Sequence, residues 1–78
     1  MKSELLKAVK LAQNNDWNAA HRVVQEYNSA TACWIHAVLH KIEGDESNSR
    51  YWYARCNTHY EDFPDFNDEL NAIIEFLS

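Results

Sequence analysis

His36 and His40 stand four residues apart, and Glu43 follows one helical turn later. On a helix turning 100° per residue, these three and Cys33 fall within about 80° of one another. Both imidazoles can then reach one point. An i,i+4 histidine pair is a known way to hold zinc, and Glu43 or Cys33 can add a ligand. The pattern lacks the glutamate beside the first histidine that marks a metalloprotease, so no metal is assigned, with His36 and His40 as the candidates. In the competing reading these residues are architecture: a central helix packed on two sides, its histidines hydrogen-bonded to tyrosines or carboxylates of neighbouring helices. His21 lies one turn after Trp17, at the edge of another apolar arc. If the two helices are neighbours, His21 approaches His36 or His40. Clustered imidazoles, each with an ordinary pKa of about 6.5, can shuttle protons, bind metal or sense pH.

The second chemical feature is Tyr51-Trp52-Tyr53. Three consecutive helical residues point in three directions, so they cannot all enter one core. One reading puts ring bodies in a small core with polar tips in water. The other makes them the wall of a groove, with Arg50 or Arg55 available for a carboxylate or a cation–π contact. Arg55 is four residues after Tyr51 and shares its side of the helix. The candidate binding residues are therefore His21, His36, His40, Glu43, Tyr51, Trp52 and Arg55. No catalytic residue is assigned and no cofactor is expected. The chain has no Gly-x-Ser-x-Gly, no glycine-rich phosphate loop and no Cys-x-x-Cys.

Helices must position these groups. One glycine and one proline in 78 residues disfavour a sheet built on tight hairpins. Residues 3–13 read as a helix with Ser3 as N-cap and Leu5, Ala8, Val9 and Ala12 as its apolar stripe. Asp16 caps a second helix over 17–28, with Trp17, Ala20, Val23, Val24 and Tyr27 on its apolar face. Thr31 opens a third over 31–43, and Gly44 suits the left-handed position that ends it. Asp45 or Ser47 caps a fourth over 46–57. Pro64 and Asp65 open a last helix, to about Leu77, with a stripe of Phe66, Leu70, Ile73, Ile74 and Leu77.

Shifting residues 5–27 by 29 positions lays them on 34–56, where Ala8 meets Ala37, Val9 meets Val38 and Asp16 meets Asp45. Turn, cap and small residue recur together. That is the mark of tandem helical hairpins, in which a small residue at the crossing lets two helices approach closely.

Trp34-Ile35-His36-Ala37, Leu39-His40, Glu43-Gly44-Asp45, Asn48 and Tyr51-Trp52-Tyr53-x-Arg55, with Ala20-His21 upstream, resemble a family of small uncharacterised bacterial proteins. The resemblance covers roughly residues 14–56 and implies an α-α repeat fold of tetratricopeptide type. It carries no established activity. Ser49 and Cys56 stand where that pattern has alanine, and neither change threatens the fold.

The net charge of −5 is local. Residues 1–60 hold seven basic and six acidic side chains, while 61–78 hold six acidic and no basic ones. An acidic end without a basic stripe argues against nucleic acid, whose binding needs clustered Lys and Arg. The acidic run reads as a solvated helix start favoured by the helix dipole, or else as a docking patch. Glu4, Lys7 and Lys10 interrupt the opening residues, so they read as neither signal peptide nor membrane span. A cytoplasmic location with Cys33 and Cys56 reduced is the expectation.

The sequence thus predicts one all-α domain over residues 1–78: two stacked antiparallel helical hairpins (3–28 and 31–57) and a capping helix (64–77). The favoured function is a protein- or peptide-binding module, the partner being a peptide, another protein or a second copy of the chain. The alternative is a small-molecule or metal-binding protein or enzyme using His21, His36, His40 and Glu43.

Overall fold

The computed structural model describes residues 2–78. Five α-helices and one 3₁₀ turn account for the regular structure, with no strand among the described residues: α1 (Lys2–Gln13), α2 (Trp17–Val24), α3 (Ala30–Ile42), α4 (Glu46–Tyr53) and α5 (Phe66–Leu77). The 3₁₀ turn, Tyr60–Asp62, lies between α4 and α5. Helix α1 packs on α2 and α3 on α4, while α3 also touches α2, α1 and α5. Helix α5 rests on α1 and α3, and the extents of 26 × 23 × 21 Å leave no long axis.

The two turns that end α1 and α3 are built alike. Asn15 (φ 64°) and Gly44 (φ 82°) take the left-handed conformation. The N–H groups of Asp16 and Asp45 then reach back to the carbonyls of Leu11 and His40, each at 2.9 Å, closing a Schellman-type cap. Each aspartate next accepts from a backbone N–H three residues on, Ala19 and Asn48, at 3.3 Å. Helices α2 and α4 are both eight residues long and start 29 apart. The shift carries burial with it: Ala8 and Ala37, Val9 and Val38, Ala20 and Ser49, and Val24 and Tyr53 are all buried. Ser49 sits at the close approach of α3 and α4, where its hydroxyl donates to the Ala37 carbonyl at 2.7 Å. Its polarity is satisfied inside the core.

Some boundaries differ from those the sequence suggests. Ser3 lies inside α1 rather than capping it. Ser29, not Thr31, caps α3, its Oγ accepting from the Ala32 N–H at 3.2 Å. Helices α2 and α4 stop four residues short of the expected ends. There the bonding tightens from i→i−4 to i→i−3, with Tyr27 N–H to Val24 and Cys56 N–H to Tyr53, both at 3.1 Å.

The largest departure is electrostatic. Glu69, placed by the sequence in an acidic solvated run, is completely buried. Its carboxylate accepts from Lys41 Nζ (2.8 Å), Trp34 Nε1 (2.8 Å) and Tyr53 Oη (2.7 Å). The Lys41 ammonium also donates to the carbonyls of Tyr60 and Phe63, at 3.0 and 3.1 Å. It lies 4.9 Å from the ring centroids of both Tyr53 and Tyr60. Burial, then the hydrogen bond to Glu69, raises the Tyr53 phenol well above its ordinary pKa.

Breaking one side of a buried pair strands the other charge. Lys41→Met should therefore cost about 3–5 kcal/mol of unfolding free energy, read from urea titration. Lys41→Met/Glu69→Gln should lose less than Lys41→Met alone, because the glutamine still accepts from Trp34 and Tyr53 and no charge is stranded. A Lys41→Met protein within 1 kcal/mol of wild type would mean the pair does not hold the fold. The turns predict a contrast of opposite sign. A methyl at Gly44 meets open space, yet the positive φ makes Gly44→Ala cost about 1 kcal/mol, whereas Asn15→Gly should be neutral or stabilising. Paired thermal melts check it.

Candidate functional site

Helix α3 runs through the middle of the fold, and its last two turns carry His36 and His40 side by side. Their rings stack at 5.1 Å between centroids, 21° apart in plane. Helix α2, started by the Asp16 cap, brings Trp17 and His21 onto the same edge of α3. The Trp17 indole N–H donates to the Leu39 carbonyl at 2.6 Å, which pins the start of α2 to the last turn of α3. His21 stacks on Trp17 (4.8 Å, 9°) and meets His36 edge-on. The two Nε2 atoms are 3.0 Å apart. One ring nitrogen from each of His21, His36 and His40 lies within 4.8 Å of the other two.

Helix α4 supplies the far wall. Trp52 stacks flat on His36 at 3.9 Å, and Tyr51 meets Trp52 edge-on at 5.1 Å. The Arg55 guanidinium lies 3.7 Å above the Tyr51 ring and donates to the Tyr51 carbonyl at 3.0 Å. At the other end Glu43, the C-cap residue of α3, accepts from His40 Nδ1 at 2.6 Å. An unbroken strip therefore runs from Arg55 through Tyr51, Trp52, His36, His21 and His40 to Glu43, with Trp17 backing His21.

Exposure is graded along it. Tyr51 is half exposed, Trp52 and His21 are half-buried, and His36 is buried. The three consecutive aromatics divide as the wheel requires: Tyr51 outward, Trp52 along the surface and Tyr53 into the Glu69 network. Surface clefts of about 280–550 Å³ lie on other parts of the molecule, such as the one between α1 and α2 lined by Leu11, Arg22 and Tyr27. The strip is an open surface.

Several sequence-nominated groups lie elsewhere. Cys33 does not join the imidazoles; it is buried at the other end of α3, its thiol 4.0 Å from the Asn28 carbonyl. Cys33 and Cys56 are both free thiols, each with its pKa raised mainly by burial. Arg50 is committed to Glu46 and Glu61, at 2.7 and 2.6 Å. Asp45 lies near His40 and Glu43, but its carboxylate is spent on the α4 cap, accepting from Asn48 and Ser47. His59 is exposed and remote from the strip, beside Asp62. Sequence reasoning overlooked Lys41 and the core role of Glu69. The signal was present, since Glu69 falls three residues after Phe66 and four before Ile73, inside the apolar arc of α5.

No protein-family model, curated protein or solved structure matches this chain. No helix among the described residues is long and apolar enough to cross a membrane.

The histidines make stability depend on pH. Burial, then the nearby His21 and His40, pushes the His36 pKa down to about 4. Burial, then His40, lowers that of His21, with Glu43 acting weakly the other way. An imidazole whose folded pKa is depressed takes up its proton in the unfolded chain first. Stability is therefore unaffected above the unfolded value of about 6.5, falls as pH drops below it, and levels off near the folded pKa. For His36 the loss by pH 4 should be about 3 kcal/mol, with His21 adding in the same direction. Urea midpoints between pH 7.5 and 4 measure it, and His36→Gln should flatten the fall. An equally steep fall in that variant would assign the pH dependence to other groups.

Proposed function

We propose that this chain is a small interaction module of tetratricopeptide-like, helical-repeat type that binds a polypeptide through the Arg55–Glu43 strip. The two matching turns and the 29-residue correspondence of buried positions support the repeat reading. The observation that carries the function is the strip itself. Residues nominated from sequence on three separate helices line up along one surface, with Tyr51, Arg55 and Glu43 exposed on it. Trp, Tyr and Arg are the residues that most often anchor protein interfaces. Half-exposed Tyr51, with Trp52 beside it, offers ring faces at low entropic cost. Arg55, held over Tyr51, presents charge-assisted donors to a carboxylate. The partner is thus a peptide segment pairing an apolar or aromatic side chain with an acidic one. The free thiols fit a reducing compartment.

The test is selection from a displayed peptide library, followed by NMR mapping of the best binders. Selected peptides should be acidic and aromatic, and should shift Tyr51, Trp52 and Arg55. Tyr51→Ala should weaken binding by about 1–2 kcal/mol, roughly tenfold, with the fold intact. Shifts confined to residues outside the strip, such as the exposed Phe76 ring packed edge-on against Trp34, or binding indifferent to Tyr51→Ala, would refute the strip as the docking surface.

A further inference from the structure

We infer that His21, His36 and His40 form a three-nitrogen site for a divalent transition-metal ion, zinc foremost. The site lies within the strip proposed above as a binding surface, but it requires no polypeptide partner.

The geometry comes first. Two imidazole nitrogens sharing a tetrahedral ion at about 2.05 Å stand about 3.3 Å apart, and a 90° arrangement brings them to about 2.9 Å. His21 Nε2 and His36 Nε2 are 3.0 Å apart. A nitrogen of His40, on the same face of α3 as His36, completes a set within 4.8 Å. His36 and His40 at i,i+4 give the helical half of such a site, and His21 closes it from the neighbouring helix.

The surroundings are those a metal site needs. Metal-bound histidines usually place their second ring nitrogen on a carboxylate, which fixes the tautomer and raises ligand basicity. Glu43 does this for His40, taking Nδ1 at 2.6 Å and leaving Nε2 as the free donor. Trp17 and Trp52 clamp the other two rings by stacking, at 4.8 and 3.9 Å. The ring orientations are thereby set before any ion arrives. Among neutral imidazoles, only one proton can bridge the His21–His36 pair; a cation satisfies both lone pairs at once.

The donor set selects the ion. Three imidazoles with a carboxylate behind one of them suit zinc, copper, nickel and cobalt rather than magnesium or calcium, which take oxygen ligands. Cys33 is out of reach, so no thiolate biases the site towards softer ions. Three protein ligands and an open side leave a further position for water or for a donor from a bound partner.

The experiment is a zinc titration of the untagged full chain at pH 7.5 by calorimetry, with cobalt as a spectroscopic probe. The expected result is one ion per chain with micromolar or tighter affinity, a tetrahedral cobalt spectrum, and a higher thermal midpoint with zinc. His21→Gln and His40→Gln should each abolish binding in that range, and Glu43→Gln should weaken it about tenfold. His59→Gln should leave it unchanged. His21 is only half-buried, so its variant keeps a folded readout by circular dichroism even if changes at His36 unfold the chain. No stoichiometric binding by the folded wild type, or binding that survives His21→Gln, overturns the site. Loss of metal binding in His21→Gln with peptide binding retained would separate this inference from the docking surface.

Discussion

The fold turns on a charge pair that water does not reach. Lys41 and Glu69 join α3 to α5 with side chains 8 % and 0 % exposed. Desolvating them costs several kcal/mol for each ion, and attraction between the two alone does not repay that. Hydrogen bonds from Trp34 and Tyr53 to Glu69, and from Lys41 to two backbone carbonyls, make the arrangement tenable. The pair also organises the polypeptide between α4 and α5. Lys41 collects the carbonyls of Tyr60 and Phe63, and Arg50 pairs with Glu61, so a segment with little apolar content of its own is held by two cations. Helices α3, α4 and α5 and their connector are fixed by one polar knot.

That knot also sets the rotation of α3. Lys41 follows His40 directly, and successive helical residues point 100° apart. Once Lys41 is committed to α5, His40 and His36 are turned about 100° and 140° away from it, onto the edge where α2 and α4 bring Trp17, His21 and Trp52. The imidazole cluster thus sits on a face the core leaves over, and stacking and mutual hydrogen bonding hold it there. No buried side-chain nitrogen or oxygen among the described residues lacks a partner. What remains unfavourable is the burial of His36 beside two other imidazoles, visible as its depressed pKa, for which burial is the larger cause.

Much of this was legible in the chain. Asp16, Asp45 and Asp65 cap as their types and positions suggest, Gly44 takes the left-handed conformation, and the apolar stripes of α1 and α5 reach the core. Spacing on one helix also put His36, His40 and Glu43 on one side. The misses have a common origin in contacts between distant elements. Glu69 read as a solvated carboxylate because its partners lie 28, 35 and 16 residues away. Cys33 shares the arc of His36 on a wheel, but its thiol is directed to the Asn28 carbonyl before the start of α3, away from the imidazoles. Trp17 was visible as core but not as the clamp of His21, since its anchor is a backbone carbonyl on another helix.

The 29-residue correspondence shows why chemistry gathers at a single place in a chain whose two helix pairs share their turns and buried positions. The 29-residue shift preserves what the helix crossings need: Ala8 with Ala37, Ala20 with Ser49, and the two left-handed turns. It preserves nothing of the strip. His21 maps onto Arg50, His36 onto Lys7, His40 onto Leu11, Trp17 onto Glu46 and Trp52 onto Val23. Backbone geometry demands the first set at both crossings. The second set meets only where α2 lies against α3, a junction that occurs once in a chain with two such helix pairs. Packing alone would be satisfied there by aliphatic side chains, the type that the shift places opposite His40 and Trp52, namely Leu11 and Val23. Three imidazoles held between two indoles exceed what that junction requires, and the excess is the physical ground for placing function there.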